Sequence, residues 1–573
     1  MTSYDVIIRN GLIYDGTGGE PFTGDVAVRG SRIVAVGDVE GDAETIVDAD
    51  GKIVTPGFVD IHTHYDGQVT WSQRLSASSE HGVTTVVMGN CGVGFAPCRP
   101  ADRSALVTLM EGVEDIPQVV MEAGLPWNWT TFGDYLDALA DRRFDVDVAA
   151  QLPHSALRVF VMGKRGSEQA PPTAEDLNEM RRLTAEAMRA GAIGVSTSRS
   201  LIHRTKAGEP APSLLSEEDE LEALALGLAD AGGGVFQIIP NPGNDAIAEF
   251  DLIERLARTA GRPLSFSLLQ ARDQPVDDWS AVLARTAQAN ADGLSIRAQV
   301  APRPVGILYG LELSFHAFAF HPSFRVIEDK PLNEKVAIMR DPAFRRQLLS
   351  EVPECTNPVS LKTVQDFGFS FPLGDPACYE PASELRLDRQ AAAKGVPPYE
   401  LAYDQLLERE GRALFYLPVA NFVGGDFGAI HGMLVHPDTI VGLADGGAHY
   451  GVICDSSFPT YYLLRWSRDA PDEQRIALPD AIAALTSQTA EAAGLADRGR
   501  IAPGMKADIN VIDLEALYMH APEVVRDLPA GGRRLHQRAD GYDATMVSGR
   551  FTYRDGKATA ELPGRLVRGG AVK

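Results

Sequence analysis

The strongest restriction on the fold comes from one short segment, Pro56-Gly57-Phe58-Val59-Asp60-Ile61-His62-Thr63-His64. The Pro-Gly pair ends one element, and a β-rich run that carries two histidines follows it. Side chains alternate between the two faces of a strand, so His62 and His64 are expected to point the same way. Two imidazoles spaced about 7 Å along a strand can converge on one cation where the strand end curls. The segment therefore favours a metal site at a strand end over two structural histidines.

The middle of the chain repeats a strand and an amphipathic helix about every 30 residues, which is typical of a parallel sheet. In one repeat, Thr173 and Asp176 have the spacing of a capping box, and Gly191 ends the helix before a strand. Eight strands predict an α/β fold, a (β/α)8 TIM-like barrel, and the chain shows no Gly-rich phosphate loop of a doubly wound sheet. The strands are placed at His62 and at residues 83–88, 147–150, 193–197, 235–239, 263–268, 294–300 and 439–443.

Both ends of the chain differ from this middle region. Residues 4–54 and 506–550 contain β-branched runs separated by turn signals such as Asn10-Gly11. Neither end is large enough for a good core alone, so we expect one small β-sandwich built from both termini. Residues 308–430 also break the repeat, because they are rich in Phe, Pro and charge. We predict that they form an insertion before strand eight, as a subdomain or lid over the mouth of the barrel.

The 573 residues are therefore predicted to form three units. The sandwich comprises residues 1–55 with 500–573, the barrel comprises residues 56–307 with 431–499, and the insertion comprises residues 308–430. A chain of this length is long enough for one large barrel with additions.

The net charge of −25 argues against a nucleic acid or an anionic membrane surface as a partner. No apolar run reaches the ~20 residues that cross a bilayer, and no basic segment followed by an apolar run opens the sequence. The five cysteines are an odd number in a long chain, which favours free thiols in a reducing compartment. We predict a cytoplasmic protein that acts on a small molecule, with homo-oligomerisation left open.

The carboxyl ends of barrel strands are where active sites of this architecture lie. Imidazole, thiolate and carboxylate groups at these ends make a plausible set of zinc ligands. Asp445 follows an apolar strand, where a carboxylate is costly unless it is ligated or paired. Cys91 also fits a small buried residue, and His154 also fits a histidine that holds a loop. The strand ends carry His62, His64, Cys91, His154, Ser198, Ile239, Gln270, Arg303 and Asp445.

The order of these features resembles the amidohydrolase superfamily. The segment Gly499-Arg500-Ile501-Ala502-Pro503-Gly504-Met505-Lys506-Ala507-Asp508-Ile509 is similar to its closing signature. Gly89-Asn90-Cys91-Gly92 after strand two, together with the insertion before strand eight, resembles the N-acyl-D-amino-acid deacylases, the D-aminoacylase-like enzymes. The resemblance implies a metal-dependent hydrolase that cleaves an amide bond. It also places His62, His64 and Asp445 at the first metal position and Cys91 as a metal-bridging cysteine.

Strands five and six depart from that family pattern. The family supplies one histidine from each of these strands to a second metal position. This chain has Phe236-Gln237-Ile238-Ile239-Pro240 and Ser265-Phe266-Ser267-Leu268-Leu269-Gln270 there, and apolar side chains cannot ligate zinc. Gln270 also stands where the family has a lysine for the substrate carboxylate. We therefore predict one zinc ion per chain and a D-amino-acid specificity that rests on resemblance alone.

The predicted roles follow from this single metal. A zinc ion on His62, His64, Asp445 and Cys91 would lower the pKa of bound water towards about 7 and polarise the scissile carbonyl. Proton transfer to the leaving amine is assigned to Asp445, with His154 and His203 as further catalytic candidates. Four arginines near strand ends suit a carboxylate, with Arg303 preferred. These are Arg199, Arg204, Arg272 and Arg303; the substrate-binding candidates are Arg303, Ser198, Gln270 and His449.

The leading hypothesis is a zinc-dependent amidohydrolase that deacylates an N-acyl amino acid. One alternative is hydrolysis of a different C–N bond, in a cyclic amide or a carbamate. Another is a catalytically silent barrel with only a binding role, which the missing histidines of strands five and six suggest.

Overall fold

The computed structural model describes residues 3–241, 243–271 and 278–569. Eight strands form one parallel sheet in sequence order, numbered here strands 1 to 8, which confirms the predicted barrel. Strands 8 and 1 meet just beyond their ends, where Asp445 N donates to His62 O at 3.0 Å and His64 N donates to Gly446 O at 2.7 Å. The strands are Phe58–Asp60, Val83–Met88, Asp147–Pro153, Gly194–Ser198, Val235–Ile239, Leu264–Ser267, Ile296–Val300 and Thr439–Val441.

Strands 2, 3 and 4 are buried at every residue, as expected for a parallel sheet whose two faces are both covered. The capping box is present: Asp176 N donates to Thr173 Oγ1 at 3.2 Å, and Thr173 N donates to Asp176 Oδ2 at 2.8 Å. The α-helices around the barrel are Gln68–Trp71, Arg103–Val113, Gln118–Gly124, Phe132–Ala140, His154–Met162, Lys164–Ser167, Ala174–Ala190, Glu218–Ala231, Ala246–Ala260, Asp278–Ala291, Gly428–Leu434, Phe458–Tyr462, Leu478–Leu485 and Ser487–Ala492.

The two termini share a second, nine-stranded sheet, in which Ile53–Pro56 pairs antiparallel with Ile509–Ile512. Asn10-Gly11 does not turn the chain as predicted. It lies at a bulge inside one long strand, where Asn10 has φ +61° and a Cβ on Gly11 would lie 2.3 Å from Val54. The other strands of this sheet are Ser3–Ile13, Phe22–Arg29, Arg32–Gly37, Asp42–Asp48, Tyr542–Val547, Arg550–Arg554 and Lys557–Ala558. The sandwich arrangement and the domain boundaries stay predictions.

The segment between strands 7 and 8 has an apolar core of its own, which includes Phe318, Phe367 and Tyr403. A three-stranded sheet joins Val305–Tyr309, Phe415–Ala420 and Phe371–Pro372. Its helices are Pro322–Arg325, Leu332–Met339, Pro342–Leu349, Pro358–Gln365, Leu387–Lys394 and Pro398–Leu406. In the described part of the chain, no helix has both the length and the apolar character that a bilayer span requires.

Candidate metal centre

The two histidines lie beyond strand 1 rather than within it, because the strand ends at Asp60. The backbone holds them there: His62 N donates to Asp60 Oδ1 at 3.2 Å, and Thr63 N donates to Val87 O at 3.0 Å. The two imidazole centroids are 5.6 Å apart. The expected alternation along a strand is therefore wrong in detail, yet the two side chains still converge at the mouth of the barrel.

Cys91 completes a compact group of donor atoms. Its Sγ lies 3.3 Å from His62 Nε2 and 3.6 Å from His64 Nε2, and the donor atoms of the three buried residues all lie within 4.8 Å of one another. Cys91 has φ +57°, a left-handed conformation that is uncommon for a residue with a side chain. Such strain at a strand end is typical of a functional position.

Asp445 faces the same two imidazoles. Its Oδ1 lies 3.3 Å from His62 Nε2 and 3.4 Å from His64 Nε2. Burial alone would raise the pKa of Asp445, but the hydrogen bond to His64 and the charges of the histidines hold it below its ordinary value. The side chain is therefore a carboxylate at neutral pH, as a metal ligand or a general base must be.

Two neighbours outside this group lie beside the imidazoles, one as a hydrogen-bond partner of His62 and one as a carboxylate close to His64. Gln299 Oε1 lies 2.7 Å from His62 Nδ1, and Glu114 Oε1 lies 3.5 Å from His64 Nδ1. Gln299 Oε1 is an acceptor, so His62 Nδ1 carries the hydrogen and His62 Nε2 keeps its lone pair towards Cys91 and Asp445. This is the tautomer in which a histidine binds a metal through Nε2.

The protonation of the two histidines differs. Burial lowers the pKa of His62 to about 4, so this imidazole is neutral at pH 7. Burial also acts to lower the pKa of His64, but Glu114 and Cys91 raise it well above its ordinary value. Burial raises the pKa of the Cys91 thiol to about 12. These shifts apply to the side chains by themselves, and a bound cation reverses such preferences by favouring neutral imidazole and thiolate.

The chemistry of the donors fits zinc. Two imidazole nitrogens, one sulfur and one carboxylate oxygen are ligand types that zinc accepts, and catalytic zinc sites usually have three protein ligands and an open position. Across residues 3–241, 243–271 and 278–569, His62, His64 and Cys91 are the single group of three such donors. At the ends of strands 5 and 6, the cavity wall instead contains Ile239 and Leu268.

A cavity of about 810 Å³ lies over these donors. Side chains from strands 5 and 6 and from the helices that follow them give it an apolar wall. Other lining residues come from the segment between strands 7 and 8. Its role as a lid stays a prediction. The apolar wall consists of Ile239, Phe250, Ile253, Phe266, Leu268, Trp279 and Val282.

Three further predicted residues, His203, Gln270 and His449, line this cavity. His449 Nε2 lies 4.0 Å from Asp445 Oδ2 and 3.4 Å from Glu114 Oε2. Burial lowers the pKa of His203 to about 3, so its imidazole is neutral at pH 7. The structure thus brings His203, Gln270 and His449 to the same space as the donors.

His154 does not reach the cavity. Its Nδ1 lies 2.9 Å from Thr197 Oγ1 and its Nε2 lies 2.8 Å from Glu220 Oε1, so both ring nitrogens are occupied in the barrel wall. Glu220 also pairs with Arg158. This position fits a structural role rather than the predicted catalytic role.

Arg303 and Ser198 are also directed away from the cavity. Arg303 Nη2 donates to Cys454 O at 2.6 Å and to Asp455 Oδ1 at 2.5 Å, so its charge is already compensated. Ser198 Oγ accepts from Ser200 N at 3.1 Å. The predicted anchoring of a substrate carboxylate by Arg303 is therefore not what this geometry favours.

The other arginine candidates are also engaged where they are described. Arg199 pairs with Glu249 at 3.1 Å, and Arg204 donates to Leu201 O and Gly208 O at 2.9 Å each. Arg272 lies outside the described residues.

Glu114 and Gln299 are the residues that sequence reasoning missed. Glu114 directly follows the helix Arg103–Val113, far from any strand end, and no spacing links it to His64. Gln299 lies on strand 7, where the alternation of side chains gives the one available signal, a polar residue facing the barrel interior.

Comparison with known proteins identifies the family and the fold of this chain. The Amidohydrolase family model matches residues 45–553. N-acyl-D-glutamate deacylase of Alcaligenes xylosoxydans xylosoxydans is 28% identical over 518 residues, which cover 90% of this chain and 88% of that protein. A crystal structure of N-acyl-D-glutamate deacylase from Bordetella bronchiseptica, complexed with zinc and a phosphonate inhibitor, has a TM-score of 0.66 at 23% identity, covering 99% of this chain and 100% of that one.

A structure of D-aminoacylase, concerned with one-metal activation and second-metal attenuation at a binuclear metal centre, has a TM-score of 0.64. That D-aminoacylase is 23% identical to this chain, and the match covers 99% of this chain and 100% of the D-aminoacylase. At this level of identity, both structures establish a shared fold. The family model spans most of the sequence, and the chain therefore belongs to the amidohydrolase family.

Proposed function

We propose that this protein hydrolyses the amide bond of an N-acyl amino acid and uses one zinc ion per chain. The observation that carries this proposal is the convergence of His62, His64 and Cys91 beneath the cavity, with Asp445 Oδ1 within 3.4 Å of both imidazoles. The deacylase relatives support the amide bond and the amino-acid class, and by likeness they favour the D form. The D-aminoacylase structure concerns a binuclear centre with one-metal activation, so activation by one metal has a precedent in that protein.

The side chains provide the acid–base steps. When bound, zinc supplies Lewis-acid polarisation of the scissile carbonyl and lowers the pKa of water. Asp445 is ionised, and its Oδ2 is the oxygen not directed at His62 and His64. This oxygen accepts a proton from the attacking water and returns it to the leaving amine.

Two histidines contact the substrate in this proposal. His449 lies 4.0 Å from Asp445 Oδ2 and donates a hydrogen bond to the developing oxyanion. His203 is neutral at pH 7 and has no hydrogen-bond partner for Nδ1 among the described residues, which leaves that nitrogen for the substrate. Both side chains line the cavity.

The apolar wall indicates the kind of acyl group. Aromatic and aliphatic side chains from strands 5 and 6 occupy the region where the family pattern places two metal-binding histidines. Burial of apolar surface contributes about 25 cal/mol per Å², so a long acyl chain binds this wall better than an acetyl group does. We therefore expect N-octanoyl amino acids to be better substrates than N-acetyl amino acids.

The direct test is turnover of a panel of N-octanoyl and N-acetyl derivatives of D- and L-amino acids by the zinc-loaded protein. Hydrolysis that a chelator abolishes and zinc restores supports the proposal. Turnover of cyclic amides or carbamates alone would move the function to another C–N bond. No turnover of any compound by a zinc-loaded protein would favour the silent barrel that the missing histidines of strands 5 and 6 suggest.

A further inference from the structure

Two basic side chains from outside the barrel strands line the cavity. Lys335 comes from the helix Leu332–Met339 of the inserted segment, and Arg533 immediately precedes the short strand Arg534–His536. That strand is tied to the strand 8 loop, because Leu535 N donates to Tyr450 O at 2.7 Å. Tyr450 follows His449, so Arg533 lies beside the loop that carries Asp445 and His449. We call Lys335 and Arg533 the basic corner.

Lys335 is a buried charge without a close counterion. Lys335 is only 3% exposed, and its Nζ donates to Leu311 O at 3.2 Å. Among the described residues, no carboxylate lies within 4.0 Å of this ammonium group. The acidic side chains that act on it from farther away are Glu312, which pairs with Arg526, and the exposed Asp329 and Glu328. Burying a charged group without a partner is costly. A ligand with a negative charge would remove that cost.

Arg533 also has its guanidinium free for a ligand. Within the described ranges, it makes no side-chain hydrogen bond or ion pair, although it is partly buried. The neighbouring arginines are paired: Arg534 contacts Asp527 at 2.6 Å, and Arg526 contacts Glu312 at 3.3 Å. The difference isolates Arg533 as the cation of this segment that faces the cavity.

The two charges of the basic corner act on one another. Burial lowers the pKa of Lys335, and the charge of Arg533 lowers it further. Burial likewise lowers the pKa of Arg533. His316 also lines the cavity, and burial lowers its pKa. The charges of Lys335 and Arg533 lower this pKa further. Two like charges in a site of reduced polarity favour an anion between them.

The remaining described cations around the cavity are already engaged. Lys206 pairs with Glu111 at 2.9 Å, and Arg325 donates to Glu354 O at 2.6 Å. Arg204 donates to two backbone carbonyls of its own loop. Gln270, at the family's lysine position, is neutral. The basic corner is therefore the best-placed source of positive charge for a substrate.

We infer that Lys335 and Arg533 bind the carboxylate of the substrate and so determine specificity for an acyl amino acid over a neutral amide. This inference rests on the proposed function. The substrate then extends across the cavity, with its carboxylate in the basic corner, its amide bond over the donor atoms and its acyl chain on the apolar wall. Recognition of the charged end thus comes from the inserted segment and the C-terminal part of the chain.

The test compares two probes that differ by one charge, N-octanoylglycine and N-octanoylglycinamide. Binding of each to the zinc-loaded protein is measured by calorimetry, and glycine removes any question of chirality. We expect the carboxylate probe to bind at least about tenfold more tightly than the amide, as for other buried charge pairs. Arg533→Gln and Lys335→Met should each remove most of this preference while leaving the amide probe unchanged.

Arg526→Gln is the matched control, because it removes the same charge from the same segment at an arginine paired outside the cavity. It should keep the preference. Lys335→Met should retain or raise the melting temperature, since it removes an unpaired buried charge, and Arg533→Lys should keep part of the preference. A wild-type protein that does not distinguish the probes, or variants that distinguish them as well as the wild type does, would overturn the inference.

The substrate panel separates this inference from the proposed function. Suppose that the protein hydrolyses none of the panel and still prefers the carboxylate probe through Lys335 and Arg533. That result would support the anion site and contradict the proposed hydrolase function. Hydrolysis of the panel with KM unchanged in Arg533→Gln and Lys335→Met would support the proposed function and contradict the anion site.

Discussion

The side chain that orients His62 affects metal binding at the candidate centre, as the donors do. Gln299 bonds to His62 on one side, and its Nε2 donates to Ser265 Oγ at 2.9 Å on the other. The amide is therefore fixed at both ends inside the barrel, and it holds His62 in the tautomer that presents Nε2. Loss of such a partner typically lowers metal affinity by about 10- to 100-fold.

Gln299→Leu should therefore weaken zinc binding by about 10- to 100-fold, and the barrel should remain folded. Zinc affinity is measured by competition with a chelator of known strength. Gln237→Leu is the control, because it makes the same change on strand 5 at an amide with no hydrogen-bond partner among the described residues. Equal affinities in Gln299→Leu and the control would show that the orientation of His62 does not depend on this amide.

At the scale of elements, buried ion pairs hold helices against the barrel. Glu220 lies in the helix Glu218–Ala231 and contacts both His154 and Arg158 of the helix His154–Met162. Burial would raise the pKa of Glu220, but His154 and Arg158 lower it to about 2 from its ordinary 4.5. A carboxyl group whose pKa is lower in the folded state stabilises the fold above its unfolded pKa.

Glu220→Gln should lower stability at pH 7, by about 3–5 kcal/mol if Arg158 is left unpaired. The stabilisation by Glu220 is complete above about pH 5 and is lost as the pH falls towards 2. The melting temperatures of wild type and variant should therefore approach one another on acidification, which calorimetry from pH 7 to pH 3 would measure. Parallel pH curves would contradict this explanation.

The apolar wall makes a separate prediction for the helices after strands 5 and 6. Trp279→Ala, in the helix Asp278–Ala291, should reduce the preference for octanoyl over acetyl substrates by about tenfold, as expected when apolar contacts to a substrate are removed. The ratio of kcat/KM values for the two substrates measures this. Leu283→Ala, at a buried position of the same helix outside the cavity, should leave the ratio unchanged.

At the scale of the whole molecule, the barrel is joined to the sheet of the two termini by charges at the end opposite the candidate centre. Asp147 at the start of strand 3 accepts from Arg498 Nη1 at 2.7 Å and also pairs with Lys506. Lys506 lies 3.1 Å from Asp508, directly before the strand Ile509–Ile512. All four side chains are buried, so each depends on its partners.

Asp147→Asn should therefore lower the melting temperature markedly, because it leaves Arg498 and Lys506 without a buried counter-charge, a loss of about 3–5 kcal/mol. Zinc content of the folded protein should stay at the wild-type value, since the donors lie at the other end of the barrel. An unchanged melting temperature would mean that this contact does not join the two units.

The sequence predicts the barrel, and it points to the side chains at the mouth of the barrel, for a physical reason. Buried parallel strands give continuous apolar runs, and the chemistry of the fold lies at their carboxyl ends, so His62, Cys91 and Asp445 can be located by counting. The same rule cannot tell whether a side chain at a strand end faces the cavity or the wall, which is why it also selects His154 and Arg303. Residues such as Glu114 reach the centre through loop conformation, which no periodicity in the sequence encodes.

The most direct test of the single-metal account is the metal content of the purified protein. Elemental analysis of the zinc-replete protein should give one zinc per chain, and His62→Ala should give none. His154→Gln, at a histidine occupied in the barrel wall, should keep one zinc. Two zinc ions per wild-type chain, or one zinc retained in His62→Ala, would contradict the account.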